Sequence, residues 1–570
     1  MSVSTEEKNN CSGAEALMLC LLAEGTKLIF GYPGGAIMPI YDALYDYPEL
    51  EHVLSRHEQG AIHAAQGYAR VSGRTGVVFA TSGPGATNLV TGIADAMIDS
   101  TPLVCITGQV SSKLLGTDAF QEIDIISISM PVTKWNYQVT DVTELPEILA
   151  KAFYIASSGR PGPVLIDITK DAQFALADFE YKKCTSLRSY KPVPNVSQEA
   201  IDRAAEIINK AKKPFLIFGQ GIILAKAEAE LRNLLEKTGI PSAWTILGLS
   251  ALDSDHPLNM GMLGMHGNYA PNIMTNECDV LIAVGMRFDD RVTGDLKRYA
   301  KQAKVIHMDI DPAEIDKNVK TEVAVLGDAK ETLQRLSEKL EANVHFEWIS
   351  QFHELEKIEE TKVKNKDLYP TEGPITMAEV IRMVNEKTGG DAIVVTDVGQ
   401  HQMVTCRYAK FKQTKSKITS GGLGTMGFCL PAAIGAKLGA PERTVIAVIG
   451  DGGFQMTIQE LGTLFQTKAA VKILILNNEF LGMVRQWQEL FFDRRYAYTE
   501  MQNPDFVRIA SGYGIEGSTV KEREKLSDAL DGMLHHPGSY LLEVMVGKED
   551  NVFPMVPTGA SVSEIKLGPE

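Results

Sequence analysis

The chain has 570 residues, 44% of them hydrophobic and 22% charged, with a formal net charge of −16. That length exceeds what one hydrophobic core supports and sets an expectation of three or four domains of roughly 100–200 residues each. The negative balance argues against a nucleic-acid or anionic-membrane surface, but leaves room for small anionic substrates in a locally positive pocket.

The residues from Met1 to Cys11 are polar and acidic, unlike a secretory or mitochondrial leader. The apolar stretch from Ala16 to Ala23 is far shorter than the ~20 residues that span a bilayer. Next, Val77-Val78-Phe79-Ala80 reads as a buried strand, followed by Thr81-Ser82-Gly83-Pro84-Gly85 and a helical segment. Another apolar run, Leu103 to Ile106, starts 26 residues after the first. A polar stretch with two prolines, Cys184 to Asn195, reads as a linker. Beyond it, Phe215 to Phe218, Val280 to Ala283 and Val305 to Met308 repeat the style. A charged stretch from Glu354 to Asp367 reads as a second linker. In the last third, Val445 to Val448 leads into Gly450-Asp451-Gly452-Gly453, and the next run, Val471 to Leu474, again starts 26 residues later.

Continuous apolar runs alternating with helices predict parallel sheets covered on both faces. The expected fold class is therefore α/β, with three doubly wound parallel-sheet domains at 1–185, 196–353 and 372–552, and a tail at 553–570. The first and last look like one plan used twice. The seven cysteines (11, 20, 105, 184, 278, 406 and 429) include no C-x-x-C pair. They fit reduced, mostly buried thiols and give no zinc or disulfide signal. A cytoplasmic location is expected.

The strongest chemical signal is Gly450-Asp451-Gly452, closed by Asn477-Asn478 at the end of the following strand. Glycines after a strand let backbone N–H groups approach phosphate oxygens, and a helix N-terminus adds positive dipole. Asp451 and the side-chain oxygen of Asn478 are hard ligands suited to Mg²⁺ bridging to a diphosphate. A bare G-D-G is common in turns; the paired asparagine makes the pattern specific. This is the signature by which thiamine-diphosphate enzymes are recognised. Val398-Gly399-Gln400-His401 and Ser420 to Gly427, blandly loops with helix caps, resemble the loops of that family that hold the diphosphate and aminopyrimidine. Met426 matches the apolar residue that keeps the cofactor bent.

In this family a glutamate hydrogen-bonds the cofactor's pyrimidine and starts the chemistry from a nearly dry position. Glu58 in His57-Glu58-Gln59 fits. Its bland reading is a first-turn Glu complementing a helix dipole. The order Gly31-Tyr32-Pro33-Gly34-Gly35-Ala36, Glu58, then Thr81 to Gly85 resembles the pyrimidine-binding domain of thiamine enzymes and favours the catalytic role.

From about Cys11 onward the chain most resembles the acetolactate synthases, in their biosynthetic, FAD-containing form. Gly261 to Gly267 is similar to that family's flavin loop, and Arg287-Phe288-Asp289-Asp290-Arg291-Val292-Thr293-Gly294 to its FAD-binding segment. Blandly, the latter is a charged surface loop. The resemblance implies pyrimidine-binding, FAD-associated and diphosphate-binding domains in that order. Thiamine-diphosphate contacts are expected from Tyr32, Pro33, Glu58, Thr81, Asn88, Gly399, Gln400, His401, Gly424, Met426, Gly450, Asp451, Gly452, Gly453, Asn478, Gly482 and Met483. FAD contacts are expected from Arg160, Gly219, Gly221, Thr245, Gly264, Met265, His266, Arg287, Asp289, Arg291, Asp309 and Asp328. Gly219-Gln220-Gly221 lacks the third glycine of a dinucleotide fingerprint, so the flavin rests on likeness alone. The metal set would be Asp451, Asn478 and the Phe480 carbonyl.

The reaction so implied decarboxylates pyruvate on thiamine diphosphate and transfers the two-carbon unit to a second pyruvate or to 2-oxobutyrate. This is the first common step of branched-chain amino acid synthesis, with FAD in a non-redox role. Glu58, Gln121, Lys170 and Trp487 are the expected catalytic or substrate residues, with Phe120 and Phe491 nearby. Blandly, Trp487 is a core aromatic at helical spacing with Met483 and Leu490. A homodimer or dimer of dimers with the active site at the subunit interface is implied, as is a small regulatory subunit. Ser111, Thr169 and Val404 depart from the family's usual residues near the channel. Rival readings are a flavin oxidoreductase of the pyruvate-oxidase kind, a catabolic flavin-free synthase and a non-catalytic binding subunit.

Overall fold

In a computed structural model the described residues are 10–569. The expectation about a leader falls largely on residues 1–9, outside them. The apolar runs form strands: Gly76–Ala80, Leu103–Gln109, Pro214–Phe218, Val280–Val284 and Val445–Gly450 are buried at every residue. Side chains alternate across a strand, so burial at every position means that both faces are covered. Ile29, Val77, Val104 and Ile166 enter one core, and Phe30, Val78, Cys105 and Leu165 the other.

Three six-stranded sheets result. The first runs Glu51–Leu54, Leu28–Gly31, Gly76–Ala80, Leu103–Gln109, Pro163–Thr169, Trp135–Val139, all in parallel register. The last runs Lys417–Thr419, Ile393–Thr396, Val445–Gly450, Val471–Asn477, Tyr540–Met545, Glu516–Val520. Numbered along the chain, both have the order 2-1-3-4-6-5, so the likeness of the outer thirds extends to their topology. The central sheet runs Asn259–Met262, Ser242–Trp244, Pro214–Phe218, Val280–Val284, Lys304–Asp309, Val323–Leu326, again parallel. Its order is 3-2-1-4-5-6, the doubly wound arrangement found in dinucleotide-binding domains.

By backbone proximity the chain forms two units. One runs to Lys191 and takes in Gly422–Glu442 and Gln455–Val471; the other holds Pro192–Gly421, Arg443–Phe454 and the chain from Lys472 onward. In the first unit the helix Glu58–Ser72 meets the helix Cys429–Gly439 at small residues. A Cβ on Gly67 would strike the Ala432 carbonyl, and one on Gly435 the Ala64 carbonyl. That close approach fixes the helix that opens with Glu58.

The segment 354–367, read as a linker, is helical: Phe346–Glu359 continues through a π-helical turn, Glu360–Lys364, into Asn365–Leu368. Six of the seven cysteines are buried, and Cys184 is half-buried. Among the described residues no helix is long and apolar enough to cross a membrane.

Candidate active site

Ligands of open parallel sheets bind beyond the carboxyl ends of the strands, where the chain order reverses. That point lies between Leu28–Gly31 and Gly76–Ala80 in the first sheet and between Ile393–Thr396 and Val445–Gly450 in the last. In the first sheet, Tyr32 and Pro33 follow one of these strands and Thr81 the other; in the last, Gly399, Gln400 and His401 follow one, and Asp451 and Gly452 the other.

In the first unit Glu58 opens its helix, as the dipole reading requires, yet is only 8% exposed. Asn88 Nδ2 donates to its Oε2 at 2.9 Å. A Cβ on Gly85 would stand 3.2 Å from Glu58 Oε1, so a glycine there keeps that oxygen approachable. Thr81 Oγ1 accepts from Ala36 N at 3.2 Å, folding the Gly34-Gly35 turn over the strand end. Lys170 Nζ donates to Gly35 O at 3.1 Å. Gln121 has a positive φ of 60° and packs its backbone over Gly83, while Phe120 is 89% exposed. Thr425 Oγ1 donates to Asp95 and Gly422 N to Asp99, which anchors the loop that carries Gly424 and Met426. Arg160 stands apart: it precedes Pro163–Thr169, on the amino edge of the sheet, and its Nε donates to Ser100.

In the second unit Asp451 is 1% exposed, and burial pushes its carboxyl up to about 6. Asn503 Nδ2 donates to its Oδ2 at 2.7 Å and to Asn477 Oδ1 at 3.1 Å. Asn478 Nδ2 donates to Gln400 Oε1 at 3.2 Å, and its Oδ1 accepts from Phe480 N at 3.3 Å. His401 Nε2 lies 2.5 Å from Asp397 Oδ1. Glycines permit this convergence: a Cβ on Gly453 would strike Asp397, on Gly450 His401, and on Gly482 both Gln400 and Asn478. Asn503 and Asp397 were not singled out from sequence. Asp397 sits two residues before Gly399 and could have been found as part of that loop; Asn503 carries no local signal.

The central sheet gathers most of the flavin candidates on one edge. Gly219 and Gly221 follow its first strand in chain order, Thr245 the second, Gly264, Met265 and His266 the third, and Arg287 the fourth. Asp309 ends the fifth and Asp328 follows the sixth. At the switch point Gly221 N donates to Gly285 O at 2.9 Å, and a Cβ at 221 would strike Gly285. His266 is 6% exposed, its pKa is lowered to about 3 chiefly by burial, and its Nδ1 has no partner. Asp289 caps the helix Asp290–Thr293 by accepting from Arg291 N and Val292 N, and burial raises its carboxyl. Asp328 caps Ala329–Lys339. Met265 N donates to Arg291 O at 2.7 Å. Arg291 reaches back with Nη1 3.6 Å from Met265 Sδ and its guanidinium carbon 6.0 Å from the Trp487 ring centre. Trp487 is half-buried and meets Phe491 edge-on at 5.6 Å, which a tryptophan sealed in a core would not do beside a 44% exposed phenylalanine.

Among the described residues no cluster of three or more His, Cys, Asp or Glu could hold a metal ion; a site around Asp451 would draw on amide and carbonyl oxygens instead. Of the departing positions, Thr169 is buried with its hydroxyl on Val139 O, and Val404 lies in the core.

Residues 11–128, 201–336 and 397–544 match the N-terminal TPP-binding, central and C-terminal TPP-binding domains of thiamine pyrophosphate enzymes. The chain is 47% identical to the acetolactate synthase isozyme 2 large subunit of Escherichia coli strain K12, over 97% of this chain and 99% of that protein. It is 46% identical to the acetolactate synthase large subunit of Corynebacterium glutamicum, over 97% and 90% of the two chains. With the Lactococcus lactis large subunit it shares 44% identity over 97% and 96%. Identity at this level over nearly the whole length, with all three domains in order, leaves one conclusion: the chain belongs to the acetolactate synthase large-subunit family of thiamine pyrophosphate enzymes.

Proposed function

We propose that this chain condenses pyruvate with a second pyruvate, or with 2-oxobutyrate, releasing CO₂ and forming 2-acetolactate or 2-aceto-2-hydroxybutyrate. The observation that carries the reading is Asp451, a buried carboxylate at the switch point of a thiamine-diphosphate domain, where burial raises its pKa and a bound cation would offset that cost. Asp451, Asn478 Oδ1 and the Phe480 carbonyl would hold Mg²⁺ against the diphosphate, and Gly399, Gln400, His401 and Gly452 would line it. The unpartnered Nδ1 of His266 and the glycine crossing at the central switch point fit FAD.

Thiamine diphosphate, when bound, supplies the carbon nucleophile and the electron sink for loss of CO₂. Glu58 holds or yields a proton at Oε1, while Asn88 keeps Oε2 occupied. Burial around Glu58 keeps water from competing for that proton. Trp487 offers an apolar face to the acceptor's alkyl group, steadied by Arg291. FAD serves here as structure, since the reaction consumes no net electrons. The reading includes the cytoplasm as the place of work and a homodimer, or dimer of dimers, with the active site at the subunit interface. A small regulatory subunit is supported by the relatives' own description as large subunits. The test is product analysis after incubation with pyruvate, 2-oxobutyrate, thiamine diphosphate and Mg²⁺. Both acetohydroxyacids are expected; acetaldehyde or acetate alone would overturn the reading.

A further inference from the structure

Glu359 is the last residue of the helix Phe346–Glu359 before the π-helical turn, and amid charged neighbours it is 1% exposed. Its Oε1 accepts from Asn268 Nδ2 at 3.0 Å and from Arg407 Nη2 at 2.6 Å, and its Oε2 accepts from Tyr269 N at 2.6 Å. Arg407, whose side chain is fully buried, donates through Nη1 to Gly267 O at 3.1 Å. Two opposite charges on two helices therefore close on one turn of chain, 262–269.

That turn is the one that carries Gly264, Met265 and His266. Gly261 and Gly264 adopt φ of 99° and 107°, where a side chain would be strained. Asn268 ties the turn to its own start, N to Met262 O at 2.6 Å and Oδ1 from Met262 N at 2.9 Å. Asn272 holds Gly264 from both sides, accepting from its N and donating to its O. A buried ion pair is a poor device for stability alone, because desolvation consumes what the attraction returns. What it gives that an apolar pair cannot is a fixed set of hydrogen bonds to chosen backbone groups. Interruptions of an α-helix by a π-turn are frequent where such placement matters.

We propose that Glu359 and Arg407 are positioning residues that hold the 262–269 turn in the shape that receives the flavin. The proposal rests on the reading of the central domain as an FAD site. Arg407 lies on the helix Gln400–Tyr408, which opens with two of the diphosphate candidates, so one rigid helix serves both loops.

The experiment titrates flavin-stripped, full-length protein with FAD, following flavin fluorescence, and records the thermal midpoint of the flavin-free form. Glu359→Gln is expected to raise the FAD Kd roughly tenfold or more, as lost pre-organisation does, and to lower the midpoint by removing the carboxylate that Arg407 donates to. The double variant Glu359→Gln with Arg407→Met removes the Arg407 charge as well. It is expected to regain the midpoint while the Kd stays raised, whereas a merely structural pair would regain both. Should the single variant not fold, the double variant and Arg407→Lys carry the test. Wild-type FAD affinity in a folded double variant overturns the proposal alone. Failure of the unaltered protein to bind FAD overturns the flavin reading, and this proposal with it.

Discussion

Asn88 donates its amide to Glu58 Oε2 at 2.9 Å, so the carboxylate that opens the helix Glu58–Ser72 is held from one side and left approachable at Oε1, beside Gly85. A surface glutamate serving only the helix dipole would need neither the burial nor the partner. Replacing Glu58 by Gln is therefore expected to leave the fold and bound flavin intact. Turnover should slow by about 10²–10⁴, the usual worth of a positioned proton-transfer group. Acetolactate formation at a near-normal rate would remove Glu58 from the chemistry.

Asp451 gives a prediction with a sign. Burial raises its pKa to about 6 in the folded chain, above the ~3.9 of an unfolded aspartate. The folded state thus binds more protons between those values, and this group's contribution to stability falls as pH rises through that window. Above it the cost is on the order of 2–3 kcal/mol in metal-free protein. Asp451→Asn should raise the thermal midpoint of metal-free protein at pH 7.5, with the gain vanishing near pH 4. Thiamine diphosphate with Mg²⁺ should stabilise the unaltered protein and not the variant. An equal effect at both pH values, or a variant stabilised normally by cofactor, would contradict the metal assignment.

Much of the fold is written in short-range pattern. Val77–Ala80 and Val445–Val448 are apolar at every position because both faces of each strand are covered, and they declare themselves without reference to partners. The candidates that follow such runs, Thr81 and Asp451, were locatable for the same reason. Other features depend on residues distant in the chain. Nothing near Asn503 announces that it will reach Asp451, 52 positions earlier. Glu359 sits in a charged run that reads as a solvated linker, and only its bonds to distant residues, such as Asn268 91 positions away, reveal a buried anchor. Gly219-Gln220-Gly221 is a weak fingerprint on its own; the strand order 3-2-1-4-5-6 that gives it meaning emerges from pairings no local pattern encodes.

For the flavin, a structural role has a plain consequence. A ligand that binds only the folded state should raise stability by ~2.7 kcal/mol at a hundredfold excess over its Kd. Stripped protein reconstituted with 5-deaza-FAD should recover both the thermal midpoint and the acetolactate activity. Recovery of stability without activity, while FAD restores both, would point to real electron transfer.

Arg291 over Trp487 places a large, stiff apolar face beside the turn that carries Met265. Pyruvate and 2-oxobutyrate differ by one methylene, which such a face can distinguish by about 1–3 kcal/mol, or roughly 10–200-fold. Trp487→Leu should keep acetolactate synthesis from pyruvate while its preference for 2-oxobutyrate falls towards one in a competition assay. An unaltered ratio in a folded variant would show that Trp487 does not select the acceptor.

In the proposed reaction a two-carbon unit passes from one oxoacid to another with no net oxidation. Its most direct measurement is the stoichiometry of purified protein turning over pyruvate with thiamine diphosphate, Mg²⁺ and FAD, with the flavin absorbance followed throughout. One CO₂ and one 2-acetolactate for every two pyruvates, with an unchanged flavin spectrum, is the predicted result. One acetate for each CO₂, with a bleached flavin, would contradict it.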